Sequence, residues 1–163
     1  MSKLPTYQTI LYATDLSDHT RPVFRHAVSL ARTFGGSIVM LHVMEPLGPT
    51  SHAVLNAYLP NVDLQTLERD CLKDVALTMK RRLEKFCEEE GESCTDDSPL
   101  VRKIRVVTGQ LSEQILKAAS EVQASLIVIG TGAHALLGQH TIGTTARKVS
   151  QYTRIPVLLV PND

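Results

Sequence analysis

Thr9-Ile-Leu-Tyr-Ala-Thr-Asp-Leu-Ser-Asp18 opens with five strand-forming residues and then turns into a cluster of helix-capping residues. Beyond it, apolar residues recur at Val23, Phe24, Ala27, Val28, Leu30, Ala31 and Phe34, which is helical spacing. Gly35-Gly36 closes that helix. Ser37-Ile-Val-Met-Leu-His-Val43 follows, apolar almost throughout, as a strand buried on both faces is. Strand, helix and strand with tight punctuation form a βαβ unit, the building block of parallel sheets.

The same alternation continues outward. Leu64 to Cys87 carries a long amphipathic helix with Leu67, Cys71, Leu72, Val75, Met79, Leu83 and Phe86 on its apolar side. Glu88-Glu89-Glu90 reads as a solvated helix end. Val101 to Val107 alternates as a strand. After the turn Thr108-Gly109-Gln110, Ser112 is a candidate cap for a helix facing inward through Ile115, Leu116 and Ala119. Leu126-Ile-Val-Ile129 is a buried strand ending on Gly130, Thr144 to Tyr152 is helical, and Pro156-Val-Leu-Leu-Val160 is the last strand. Five strands and four helices predict one doubly wound α/β domain over residues 1–163. Only Glu45 to Asp63 breaks the rhythm. Pro46, Gly48, Pro49 and Pro60 argue against a long regular element and leave a lid, a helix or an unstructured connection open.

Composition narrows the function. Seventeen Lys+Arg balance seventeen Asp+Glu in 163 residues, so no basic field exists to hold nucleic acid. Trp is absent and aromatics are 4 %, which excludes a stacking platform for single strands. No apolar run approaches the ~20 residues of a membrane span, and no signal-peptide core follows Lys3. The expected setting is therefore cytoplasmic. Three cysteines without a C-x-x-C pair argue against a disulfide framework. Cys71 and Cys87 are expected as core thiols, and Cys94 as a loop thiol. His19, His26 and His52 lack metal-ligand spacing, and His42 is expected to be a satisfied strand residue.

In open α/β sheets ligands bind beyond the carboxyl ends of the strands, where the strand order reverses. The loops after the first and fourth strands are the relevant ones. The first carries Asp15, which is either a helix cap or a site residue. The fourth runs from Gly130 to Thr145, with Gly143-Thr144-Thr145 at a helix start, where free N–H groups suit an anion. His134 and His140 lie in that loop and read as solvated. Gly130-x-Gly132-x-x-Ala135 lacks the acidic residue of a dinucleotide fingerprint, and Gly138-x-x-x-x-Gly143-Thr144-Thr145 lacks the lysine of a P-loop.

Taken together, the pattern resembles the universal stress protein family. Ile10-Leu-Tyr-Ala-Thr-Asp15-Leu-Ser is similar to the family's opening strand and Asp. Gly109 to Ile115, Ser125-Leu-Ile-Val-Ile-Gly130 and Arg147-Lys-Val149 through Val160 are similar to its later segments. The resemblance implies a Rossmann-like, adenine nucleotide alpha hydrolase-like fold. Nucleotide-binding members carry Gly-x-x-Gly, nine residues, then Gly-Ser/Thr. Here Gly130, Gly143 and Thr144 match, and Ala133 replaces the second glycine. The resemblance implies an ATP or AMP site, with Mg2+ accompanying ATP. Ala13, Thr14, Asp15, Val43 and Ile129 would border the adenosine, Gly130, Gly132 and Ala133 would line the nucleotide, and Gly143, Thr144 and Thr145 would meet the phosphates. Ala133 costs of order 1 kcal/mol if that position needs a left-handed backbone, small against about −8 kcal/mol for a micromolar site. The resemblance also implies a homodimer through Pro156–Val160. No catalytic group is assigned, and any hydrolysis is expected to be slow. The alternatives are a nucleotide-free dimeric scaffold and, behind it, a nucleotide-handling enzyme.

Overall fold

A computed structural model describes residues 4–90, 100–132 and 141–162. Its strands are β1 (Thr9–Ala13), β2 (Ser37–Met44), β3 (Val101–Thr108), β4 (Leu126–Gly130) and β5 (Val157–Val160). They form one five-stranded sheet in the order β3-β2-β1-β4-β5, with every pair parallel. The helices are α1 (Arg21–Phe34), α2 (Pro49–Tyr58), α3 (Leu64–Glu90), α4 (Leu111–Glu121) and α5 (Thr144–Tyr152). A 3-10 turn, Asp18–Thr20, leads into α1.

The strict alternation of side chains along a strand splits the core in two. Ile10, Tyr12, Ile38, Met40 and Val128 point to one face and pack with Val23, Phe24 and Ala27 of α1 and Met79 and Phe86 of α3. Leu11, Val39, Leu41, Ile127 and Ile129 point to the other and pack with Ile115 and Ala119 of α4 and Ala146 and Val149 of α5. Helices thus cover both faces, as the near-continuous apolar strands require.

Some local expectations change. Helix α2 stands inside the segment whose prolines argued against a long element: Pro49 occupies its first turn and Pro60 follows its end. Proline at a helix start gives up an N–H that has no intrahelical partner anyway. Gln110, not Ser112, caps α4: its Oε1 accepts from the N–H of Glu113 at 2.9 Å and from Ser112 Oγ. Cys87 is disulfide-bonded rather than a free thiol, while Cys71 is free. An odd number of cysteines allows one pair and leaves one over, so counting alone did not exclude this. Cys94, His134 and His140 lie outside the described residues.

The long α3 is tied back to α1 by charge. Arg21 Nη2 donates to Glu90 Oε1 at 2.8 Å, and Arg25 donates to the same oxygen. Hydrogen bonds from Arg21, then from Arg25, hold the Glu90 carboxyl below its ordinary range. A depressed carboxylate lends stability above its unfolded-state pKa and loses it as pH falls through the folded value. Glu90→Gln is therefore expected to lower the melting temperature modestly at neutral pH. The gap should close as pH drops below the ordinary carboxylate range. Melting curves from neutral to acid pH check this, and a constant gap across the range would contradict it.

Candidate functional site

In the chain, β2 and β3 are laid down on one side of β1, and β4 and β5 on the other. The order reverses between β1 and β4, so their carboxyl ends splay two connections apart and leave a crevice. A cleft of about 290 Å³ opens there, close to the ~300 Å³ at which ligand pockets begin.

The cleft gathers almost all of the residues singled out from sequence. Ala13, Thr14 and Asp15 enter from the end of β1, Val43 from β2, and Ile129, Gly130 and Gly132 from β4 and its loop. Gly143, Thr144 and Thr145 enter from the start of α5. Ala133 lies outside the described residues. A smaller cleft of about 190 Å³ on the α1–α3 face shares only Thr14 with this set.

Asp15 does not cap a helix. Its Oδ1 accepts from the N–H of Ser17 at 2.9 Å, a local turn that leaves the carboxylate exposed at the cleft. Thr14 is anchored beneath it: its N–H donates to Leu41 O at 2.9 Å, and its own carbonyl lies 2.8 Å from His42 Nδ1. His42 thus has the satisfied partner expected of it. Thr14 Oγ1 accepts from the N–H of Leu16, whose φ of +61° is rare for a non-glycine residue. Arg82 of α3 donates to the carbonyl of that same residue.

The two described ends of the glycine loop are bonded to each other. The N–H of Gly143 donates to Thr131 O at 2.7 Å, and the N–H of Thr131 donates to Val160 O at 2.9 Å. Gly143 is the N-cap of α5 and supplies no side-chain cap. The first helical bond runs from the N–H of Arg147 to Gly143 O, so the N–H groups of Thr144, Thr145 and Ala146 have no intrahelical acceptor. They face the positive end of the helix dipole, with two hydroxyls beside them. The Gly143 N–H itself is engaged, so an anion would meet the next three.

Sequence reading missed several lining residues, of which Tyr12, Ile115 and Asn162 are the most informative. Tyr12 donates its hydroxyl to Thr20 O at 3.3 Å, and burial pushes its phenol up, so it stays a neutral donor at the cleft's floor. Ile115 adds an apolar wall. Asn162, just past β5, is 6 % exposed and lines the cleft. Its Oδ1 accepts from the N–H of Gly132 at 3.0 Å. No motif contains Asn162; its place at the carboxyl end of the strand beside β4 is the signal that points to it. Among the described residues, no group of three or more His, Cys, Asp or Glu side chains is placed to hold a metal ion. No helix among them is long and apolar enough to cross a membrane.

A model of the universal stress protein family matches residues 6–161. The chain is 28 % identical over 154 residues to "Universal stress protein in QAH/OAS sulfhydrylase 3'region" of Thermus aquaticus, covering 94 % of this chain and 98 % of that one. Its fold is similar to that of a universal stress protein in complex with cAMP (TM-score 0.59, 19 % identity, 97 % and 99 % of the two chains). It is also similar to that of the universal stress protein from Archaeoglobus fulgidus in complex with dAMP (TM-score 0.55, 22 % identity, 94 % and 97 %).

Proposed function

The chain belongs to the universal stress protein family, and from that premise we propose that it is a homodimeric module that binds ATP or AMP as a state signal in a stress response. One observation carries the nucleotide reading. The cleft at the β1–β4 switch brings Asp15, the Val43 backbone and the glycine loop within reach of a helix start with three free N–H groups. Apolar walls on one side and anion-seeking donors on the other match the two halves of a nucleoside phosphate. Solved relatives in complex with cAMP and dAMP support adenine as the base.

The net charge of zero gives this site no long-range help. Phosphate affinity rests on short-range donors, so it should depend weakly on salt beyond the first ~10 Å. Mg2+ would arrive with the triphosphate; the Asp15 carboxylate and the Thr144 and Thr145 hydroxyls are oxygen donors of the kind it takes. The module is proposed as a binder, with any hydrolysis slow and incidental. Dimerisation is proposed through β5, the outer strand of the sheet on that side. Pro156 O and Val160 O point inward to β4, so by alternation Val157 and Leu159 turn their backbone groups outward, open to a second copy. Sedimentation is expected to give twice the monomer mass.

Calorimetric titration tests the nucleotide reading. ATP or AMP is expected to bind with micromolar affinity, about −8 kcal/mol. Denatured, freshly purified protein is also expected to release adenine nucleotide. No heat at millimolar ligand, with no nucleotide released, would overturn the reading in favour of a ligand-free scaffold.

A further inference from the structure

Asn162 is the one strongly buried polar side chain of the cleft whose chemistry is half used. Of the three buried polar residues among those described, Thr14 and Ser112 each make side-chain bonds within their own turn. Asn162 instead reaches across from β5 to the loop after β4. The Gly132 N–H is a donor, so the carboxamide must turn its oxygen there. Thr131 Oγ1 stands 3.5 Å from the same oxygen. Nδ2 is thereby left on the other side of the carboxamide, whose face lies over Gly130. A Cβ built on Gly130 would lie 2.7 Å from Nδ2, 2.8 Å from Cγ and 3.0 Å from Oδ1, so a larger residue at 130 would push the carboxamide aside. Nδ2 has no hydrogen-bond partner among the described residues.

The bond also fixes a left-handed backbone point. Gly132 has φ of +72°, a conformation open to glycine but unfavourable for most residues. The Gly143 Cα lies 3.7 Å from where a Gly132 Cβ would stand, so the pinned peptide sits against the start of α5. Whatever holds Gly132 also sets the wall next to the free N–H groups of Thr144 and Thr145.

We propose that Asn162 has two roles in this cleft: its Oδ1 positions the Gly132 peptide, and its Nδ2 donates to an oxygen of the nucleotide's phosphate. The second role rests on the nucleotide reading above; the first does not. Two variants separate them. Asn162→Ala removes both groups. Asn162→Asp keeps an oxygen for Gly132 and replaces the donor with a second oxygen, which repels phosphate.

Amide hydrogen exchange by NMR reads the first role without ligand. The Gly132 amide is expected to be protected in the wild type and in Asn162→Asp, and to exchange at least tenfold faster in Asn162→Ala. Unchanged exchange in Asn162→Ala would overturn the positioning role. Titration with AMP and with adenosine reads the second. Asn162→Asp is expected to weaken AMP at least tenfold while leaving adenosine within twofold. Equal affinity for AMP in wild type and Asn162→Asp would overturn the donor role, and so would equal losses for AMP and adenosine. If the wild type binds neither probe, the nucleotide reading and the donor role fall together, and the exchange experiment still decides the positioning role. Thermal melting of each variant confirms that the compared proteins are folded.

Discussion

Replacing Gly143 with valine is expected to weaken ATP binding by at least about 30-fold while lowering the melting temperature by about 2–12 °C, so that the protein stays folded in the cold. The argument is one of space, not backbone strain. Gly143 has φ −60° and ψ 158°, which any residue adopts. A Cβ there would sit 3.0 Å from Thr131 O, tighter than ordinary contact, and valine adds two methyl groups beyond it. The Thr131 carbonyl is also the acceptor for the Gly143 N–H. Relief requires the helix start to move away from the end of β4, separating the donors of Thr144 and Thr145 from the rest of the cleft. Overpacking of this kind costs about 1–3 kcal/mol of stability; separately, the displaced donors no longer meet the phosphate, and losing about 2 kcal/mol of that contact is about 30-fold in affinity. The core is disturbed only at its margin, because Gly143 precedes α5 and the buried residues of that helix begin at Ala146. Titration beside a melting curve checks both halves. Wild-type affinity in a folded Gly143→Val protein would contradict the site geometry.

Phe86→Ala is expected to cost about 3–5 kcal/mol of stability, a large share of the ~5–15 kcal/mol of an ordinary domain. Helix α3 runs 27 residues, but only Met79, Phe86 and Cys87 are buried. Phe86 meets the ring of Phe24 edge-on at 4.7 Å, and the Arg21 guanidinium lies 5.7 Å over its face. Truncation removes the ring and leaves a void between α1 and α3 that neither helix can close alone. At roughly 2–4 °C per kcal/mol for a chain of this size, the melting temperature should fall by about 6–20 °C. Urea unfolding measures it, and a loss below 1 kcal/mol would show that α3 is held elsewhere. The cleft lies at the carboxyl ends of β1 and β4 and Phe86 does not line it, so nucleotide affinity in the cold should be little changed.

The parallel sheet was readable because burial writes itself into the chain. Ile10 to Ala13, Ile38 to Val43 and Leu126 to Ile129 are apolar because helices cover both faces. Helix α2 was harder for the converse reason. None of its residues is buried, so no face imposes a helical period, and only Pro49 and Pro60 mark its ends. Asp15, Gly130 and Gly143 were legible because a loop after a strand has a predictable place in such a sheet. Asn162 was not, since it is a single polar residue 30 positions from the peptide it holds. The cap of α4 shows a finer limit. Gln110 and Ser112 both carry an oxygen two residues apart, and only the backbone direction at 110, φ −72° and ψ 127°, selects between them.

The pairing of β1 with β4 has a consequence in time. Ile10 sits beside Leu126, and the Thr9 N–H is bonded to Ser125 Oγ across 116 positions of chain. During synthesis at ~5–20 residues per second, the central strand waits roughly 6–23 seconds for its neighbour. Until then one edge of β1 is an unpaired row of amides flanked by isoleucine, leucine and tyrosine, the kind of surface that recruits other chains. The half-made protein, rather than the finished one, is where this fold is most exposed to aggregation, and chaperone dependence should concentrate in that interval.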